Sequence, residues 1–157
     1  MLKVKPFKQP YGYCGLTCLK MVLNYHGVKV SEDEIAELMG GVSRERGVRA
    51  EQIIETARGF GFESFLRDNC SIGYAAREIR DKCPIIFNWF PPEINVGHYS
   101  VAVGVDDNSI IYAEPLFGDI RRMTLKFFDD NWFDFEGDIP PENPDDYIQR
   151  RLIFVRR

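Results

Sequence analysis

The 157-residue chain has few residues of the kinds that build disulfides, membrane spans or export signals. Its four cysteines, Cys14, Cys18, Cys70 and Cys83, are too sparse and irregular for the disulfide framework of a small secreted domain. No apolar run approaches the roughly 18 residues of a membrane-spanning helix, and the first residues have no apolar stretch of signal-peptide length. We therefore expect a cytoplasmic protein without a membrane segment.

An excess of positive charge is also absent. The chain has 20 basic and 24 acidic residues, a formal charge of -4 and a pI of about 5.3. No overall basic field attracts it to nucleic acid, which is therefore not an expected partner. With 45% hydrophobic residues, the composition is that of one globular domain spanning residues 1–157, which needs no structural metal to hold its core.

The order of hydrophobic patterns predicts an α+β fold, with helices first and strands later. Helical spacing and capping residues predict four helices, at about 14–26, from the Ser31 capping box to Met39, at 49–58, and from Ser71 to Ile79. β-rich runs predict strands at 60–66, 84–89, 98–105, 109–114, 120–123 and 151–155. The N-terminal helices are expected to pack against a C-terminal antiparallel sheet.

The clearest local prediction is a hairpin whose polar turn spans residues 106–108. A three-residue turn places Ser100 opposite Glu114, with His98 one diagonal step away on the same face. The other face then holds a consistent apolar set: Val101, Val103, Ile111 and Ala113. A two- or four-residue turn would separate His98 from Glu114, unless a bulge intervened.

Residues 127–147 differ in composition from the rest of the chain. They include eight acidic residues, three prolines and no basic residue, and removing them would change the formal charge from -4 to +4. This pattern predicts an acidic surface loop or flap, because a run of like charges is usually solvated. An acidic flap would favour a basic substrate.

Only two histidines are available for a cysteine–histidine mechanism. His26 lies twelve residues beyond Cys14 on the same predicted helix, about 18 Å away at 1.5 Å per residue, which excludes it as the base for Cys14. A catalytic pair must therefore combine Cys14 with His98. The helix N-terminus favours a Cys14 thiolate, because the helix dipole is positive there.

Two further residues are candidates for the same site. Glu114 is placed to orient His98 if the predicted hairpin register holds. Gln9 precedes Cys14 and has a neutral amide that can donate to an oxyanion, together with the Cys14 backbone amide. Cys18, one helical turn beyond Cys14, is expected to be a small core residue.

Together these residues resemble a known family. The segments are Gln9, Tyr13-Cys14-Gly15-Leu16-Thr17-Cys18-Leu19-Lys20-Met21, Gly97-His98-Tyr99 and Glu114-Pro115. They resemble the double-glycine cysteine peptidases that process bacteriocin leaders, and their stand-alone relatives, over about residues 5–130. The resemblance implies a papain-like fold and no cofactor or metal. It also implies a Cys14 nucleophile, a His98 base and acid, a Glu114 orienting residue and a Gln9 oxyanion donor.

The sequence departs from the family pattern at two positions. The family usually has aspartate where this chain has Glu114, and its glutamine stands six residues before the cysteine, whereas Gln9 stands five before Cys14. The best-known members are fused to membrane transporters, so a transporter partner of this chain would be a separate protein.

The sequence therefore predicts a cysteine peptidase acting on a peptide or protein substrate. The same Cys14–His98 pair would also serve an acyltransferase. Two alternatives of other classes remain: a catalytically silent domain that binds a peptide or partner, and a zinc site using Cys14, Cys18 and His98.

Overall fold

The computed structural model describes residues 1–157 and has five α-helices. They are α1 (Cys14–Tyr25), α2 (Glu32–Leu38), α3 (Ala50–Gly59), α4 (Ile72–Arg80) and α5 (Leu125–Asn131). A short 3₁₀ turn spans Pro144–Asp146. None of the helices combines the length and apolarity that crossing a bilayer requires.

The helices flank a six-stranded antiparallel sheet with the order β1-β8-β2-β3-β4-β5. These strands are β1 (Glu63–Arg67), β2 (Ile85–Trp89), β3 (His98–Val105), β4 (Ser109–Glu114), β5 (Asp119–Thr124) and β8 (Leu152–Arg156). A separate two-stranded sheet pairs β6 (Phe133–Asp134) with β7 (Ile148–Gln149). The predicted α+β architecture is confirmed.

Local capping chemistry explains the predicted helix starts. The Ser31 side chain accepts from the Glu34 backbone while the Glu34 carboxylate accepts from the Ser31 backbone, which completes the predicted capping box of α2. Ser71 caps α4 by accepting from Tyr74 N. The predicted strand at 60–66 begins three residues too early, because Phe60 N still donates to Thr56 O at the end of α3.

Two hydrophobic cores cover the two faces of the sheet. The first core packs α1 and α3 against residues such as Val101, Val103 and Ala113. The second lies on the opposite face and includes Phe87 and Trp89. Eight of the twelve α1 residues are buried, so α1 is a core helix, and its first residue, Cys14, is partly exposed.

The β3–β4 hairpin corrects the predicted turn. Val105 pairs with Ile110 instead of the predicted Ser109. Four residues therefore lie between the last paired residues of the two strands, where three were predicted. A register shift between Ala102 and Gly104 then restores the predicted pairing, with Val101 opposite Ala113. The bulge cancels the extra turn residue, so His98 and Glu114 still share a face.

The acidic segment 127–147 is only partly a surface loop. Its beginning completes α5, and the side chains of Phe128 and Trp132 are almost completely buried in the second core. These aromatic residues stand four positions apart, so they share one helix face and pack together. The exposed, acidic part lies mainly between residues 136 and 146.

Candidate active site

Cys14 is the first residue of α1, where backbone amides lack helical acceptors. The N-cap residue Tyr13 provides no side-chain cap, and the first amide of this region with a helical acceptor is Thr17 N, which donates to Tyr13 O. The Cys14 side chain is partly exposed, whereas the other three cysteines are buried. The Cys14 thiol therefore lies at the positive end of a buried helix and is accessible to a ligand.

His98 lies at the start of β3 and forms a close pair with Glu114 at the end of β4. His98 Nε2 and Glu114 Oε1 are 2.6 Å apart, and each residue is only 4% exposed. Because a carboxylate only accepts hydrogen bonds, the imidazole Nε2 donates its proton to Glu114. The other ring nitrogen, Nδ1, is then left for Cys14, whose thiol is close enough to raise the pKa of this imidazole.

Opposing effects set the pKa of His98. Burial lowers it, because an imidazolium loses hydration inside the protein. Hydrogen bonds and charges of Cys14 and Glu114 act in the opposite direction and raise the pKa from the ordinary value of 6.5 to about 9. The arrangement thus favours the protonated form of the His98 imidazole at neutral pH.

A buried hydrogen-bond chain holds the Glu114 carboxylate. Ser100 Oγ donates to Glu114 Oε2 at 3.0 Å, and Leu116 N donates to Glu114 Oε1 at 2.9 Å. Trp89 Nε1 in turn donates to Ser100 Oγ at 3.1 Å. Glutamate therefore reaches His98 at this position despite being one methylene longer than the aspartate of the family pattern.

Ser100 is a site residue that sequence reasoning did not assign to the site, and the sequence predicted Trp89 only as part of a cleft wall beside His98. The available signal was the register, which placed Ser100 opposite Glu114. A hydroxyl on the same strand face as the imidazole, two residues away, lies within reach of the same carboxylate.

Gln9 is held beside the end of β4. Its backbone N donates to Pro115 O at 2.7 Å, so the loop before α1 is fixed next to the residue that follows Glu114. The side-chain Nε2 has only a 3.5 Å contact with Pro10 O, and the buried Oε1 has no hydrogen-bond partner. The side-chain amide of Gln9 therefore has only one weak hydrogen bond within the chain.

The remaining sulfur and imidazole groups do not join this arrangement. Cys18 is fully buried, and burial first and the Cys14 charge second raise the pKa of its thiol well above the ordinary value. His26 binds Val155 O through Nε2 at 3.1 Å. No group of three or more His, Cys, Asp or Glu side chains is arranged to hold a metal ion, so the zinc alternative has no ligand set.

Comparison by sequence gives a family match over most of the chain. The model of the Peptidase_C39 like family matches residues 1–138. A protein of Methanothermobacter marburgensis, itself uncharacterized, is 33% identical over 118 residues, which cover 73% of each chain.

Comparison by structure gives the same fold. The peptidase domain of Streptococcus ComA, a bifunctional ABC transporter involved in quorum sensing, has a TM-score of 0.72 at 21% identity, covering 98% of each chain. A double-glycine-motif protease from an AMS/PCAT transporter, solved with its leader peptide, has a TM-score of 0.69 at 19% identity. That match covers 99% of this chain and 94% of the protease.

Proposed function

The chain belongs to the peptidase C39-like family, and on this premise we propose that it is a cysteine peptidase with a Cys14–His98–Glu114 triad. The observation that carries the proposal is the buried 2.6 Å contact between His98 and Glu114, with the partly exposed Cys14 thiol near enough to raise the pKa of the same ring. Thiol catalysis requires a nucleophile next to a base, and a carboxylate that orients the base. Cys14, His98 and Glu114 are the groups proposed for these roles.

In the proposed acylation step, the proton of the Cys14 thiol already resides on His98, and the sulfur attacks the carbonyl carbon of a peptide bond. A C–S bond forms, and the carbonyl π electrons move to oxygen. The backbone N–H of Cys14 and the Gln9 side-chain amide are proposed to donate to this oxyanion. When the C–N bond breaks, His98 donates its proton to the leaving amine and a thioester remains.

Deacylation repeats these roles with water. His98 takes a proton from water, the hydroxide attacks the thioester carbon, and the C–S bond breaks with the electron pair returning to Cys14. An amine acceptor in place of water would make the same groups an acyltransferase. Because a leader peptide is bound by one of the structural relatives, we propose a peptide or protein substrate for this chain too. Its cytoplasmic location stays a prediction from the sequence.

Alkylation of Cys14 tests the activated pair. Iodoacetamide is applied between pH 5 and 9, and the labelled residue is identified by mass spectrometry. We expect selective labelling of Cys14 that persists well below pH 8 in the wild type and loses its low-pH part in His98→Ala. Cys14 is also more exposed than the other three cysteines, so selective labelling alone does not show that its thiol is activated. The pH dependence of the labelling rate is therefore the test.

His26→Ala is the matched control, because it removes the other imidazole and should leave the profile unchanged. An ordinary thiol profile that His98→Ala does not alter would contradict the triad and favour the silent, peptide-binding alternative. Cleavage is then assayed on a peptide library by mass spectrometry, with Cys14→Ala as the inactive reference.

A further inference from the structure

A pocket outside the proposed triad is lined mainly by aromatic rings. Its volume is about 260 Å³, and its walls include one carboxylate beside four rings: Phe90, Phe133, Phe135, Tyr147 and Asp138. The four aromatic side chains are all partly exposed, whereas the aromatic residues of the two hydrophobic cores, such as Phe87 and Phe128, are buried. An exposed cluster of rings indicates a binding surface.

The rings are arranged as a connected wall. The Phe90 ring stacks on Phe133 and Phe135, with centroid separations of 5.5 and 5.2 Å. Tyr147 meets both of these rings edge-on, at 5.9 and 5.8 Å. Aromatic faces carry negative electrostatic potential, so such a wall attracts a cation as well as the apolar stem of a long side chain.

The charges around the pocket favour a positive occupant. Asp138 is on the wall, and none of the ion pairs of the chain involves it. No basic residue lines the pocket. The nearby cations are already paired, Arg150 with Asp129 and Arg151 with Asp68, each at 2.7 Å.

One residue of the pocket wall, Phe90, lies close along the backbone to the proposed catalytic residue His98. Phe90 directly follows Trp89, whose Cα partner across the sheet is His98. Strand spacing then puts the Cα atoms of Phe90 and His98 roughly 6 Å apart. An extended peptide advances about 3.3 Å per residue, so a side chain within about three residues of the scissile bond can reach the rings.

Asp134 fixes the pocket wall to this end of the sheet. It lies between Phe133 and Phe135, and its Oδ2 accepts a 2.8 Å hydrogen bond from Asn88 Nδ2 on β2. The same carboxylate packs against Gly97, the residue before His98. The aromatic wall is thus tied to the strand ends that place His98.

We propose that this pocket binds a lysine or arginine side chain of the peptide substrate and thereby determines specificity near the scissile bond. The inference rests on the proposed peptidase function. The alkyl stem lies along the rings, and the cationic group reaches Asp138.

Matched peptides test the proposal. Any peptide that the wild type cleaves is resynthesised with lysine or norleucine at each position within three residues of the cut. We expect at least one position where kcat/KM for lysine exceeds that for norleucine by about five-fold or more, as a cation against an aromatic wall predicts. A ratio below about two-fold at every position would overturn the proposal.

Asp138→Asn should reduce the ratio of kcat/KM for lysine peptides to kcat/KM for norleucine peptides by about three-fold or more. Glu142→Gln is the matched control, since it removes one charge from the same exposed acidic segment but does not line the pocket. An equal loss of lysine preference in the two variants would mean that the overall negative charge of the segment causes the preference. That result would overturn the assignment to this pocket.

A binding measurement separates this proposal from the peptidase proposal. Cys14→Ala protein is titrated by calorimetry with a pair of short, terminally blocked alanine peptides, one with a central lysine and one with a central norleucine. Tighter binding of the lysine peptide, lost in Asp138→Asn, supports the pocket even if no peptide is cleaved, in which case only the peptidase proposal fails. Equal affinities for the two peptides overturn the pocket.

Discussion

The Ser100 hydroxyl donates a buried 3.0 Å hydrogen bond to one oxygen of Glu114, which leaves the other oxygen to His98. Ser100 is fully buried and itself accepts from Trp89 Nε1. The bond fixes the rotation of the carboxylate, because each oxygen has a separate donor. Ser100 therefore acts on His98 through Glu114, as a positioning residue.

Ser100→Ala should lower kcat more than it raises KM. The Glu114 oxygen and the Trp89 indole would each lose a buried partner, which costs about 1–3 kcal/mol of unfolding free energy. We expect kcat to fall about ten-fold, because a mispositioned His98 loses part of the roughly 10²–10⁴-fold that general acid–base catalysis contributes. Steady-state kinetics and thermal unfolding measure both effects.

Ser109→Ala is the control for this prediction, because Ser109 lies on β4 outside the buried network and its side chain makes none of these bonds. It should leave both kcat and stability nearly unchanged. A wild-type kcat in Ser100→Ala would show that Leu116 N and His98 suffice to hold Glu114.

Glu114→Gln should lower the pKa of His98 from about 9 towards or below 6.5. Burial lowers this pKa, whereas Cys14 and Glu114 both raise it, and the substitution removes the negative charge of Glu114. Because the folded pKa exceeds the ordinary value, the contribution of His98 to stability is present below pH 6.5 and lost as pH rises through about 9. In Glu114→Gln that loss should move to lower pH.

NMR titration of the imidazole signals measures this shift without a substrate. The chain has only two histidines, and His26 serves as the internal control because its pKa is lowered, mainly by burial. A His98 titration that Glu114→Gln leaves in place would contradict the proposed coupling.

Glu114→Asp tests whether the longer side chain is required here. The donors at Ser100 and Leu116 are placed for a glutamate, so the shorter carboxylate should lose contact with His98 or with Ser100. We expect a fall in kcat/KM of about ten-fold, a partial loss of the roughly 10²–10⁴-fold that general acid–base catalysis contributes. Activity equal to the wild type would show that the backbone shifts to accommodate aspartate.

Local signals made four of the five helices and the pairing of His98 with Glu114 predictable, whereas α5 was not predicted. Capping residues placed the starts of α2 and α4, and periodicity placed α1 with Cys14 at its first residue. The pairing of His98 with Glu114 followed from hairpin register. The prediction had the turn length wrong and omitted the bulge, yet it still put both residues on one face, because the two differences cancel.

Contacts between distant segments were not predictable in the same way. The aromatic pocket joins Phe90 to rings more than forty positions later, and no periodic pattern links them. The hydrogen bond from Trp89 to Ser100 crosses between paired strands, so it depends on their register and on side-chain rotamers. Composition likewise described residues 127–147 as acidic without revealing that Phe128 and Trp132 belong to the core.

Gly15→Ala should destabilise the protein and disturb the end of α1. A Cβ at this position would collide with Val48 Cγ2 and lie 3.0 Å from a ring carbon of Tyr99. Overpacking of this kind costs about 1–3 kcal/mol, and relief of the clash would displace the adjacent Cys14. We expect lower thermal stability together with slower alkylation of Cys14.

Gly59→Ala is the matched control, because a Cβ there has no neighbour within 4 Å and the residue ends α3 on the surface. It should be neutral or stabilise the protein by up to about 1 kcal/mol, since alanine restricts the unfolded chain more than glycine does. Equal stabilities of the two variants in thermal unfolding would show that Val48 and Tyr99 yield without cost. In that case the tight packing beneath Gly15 would not be what holds Cys14 in place.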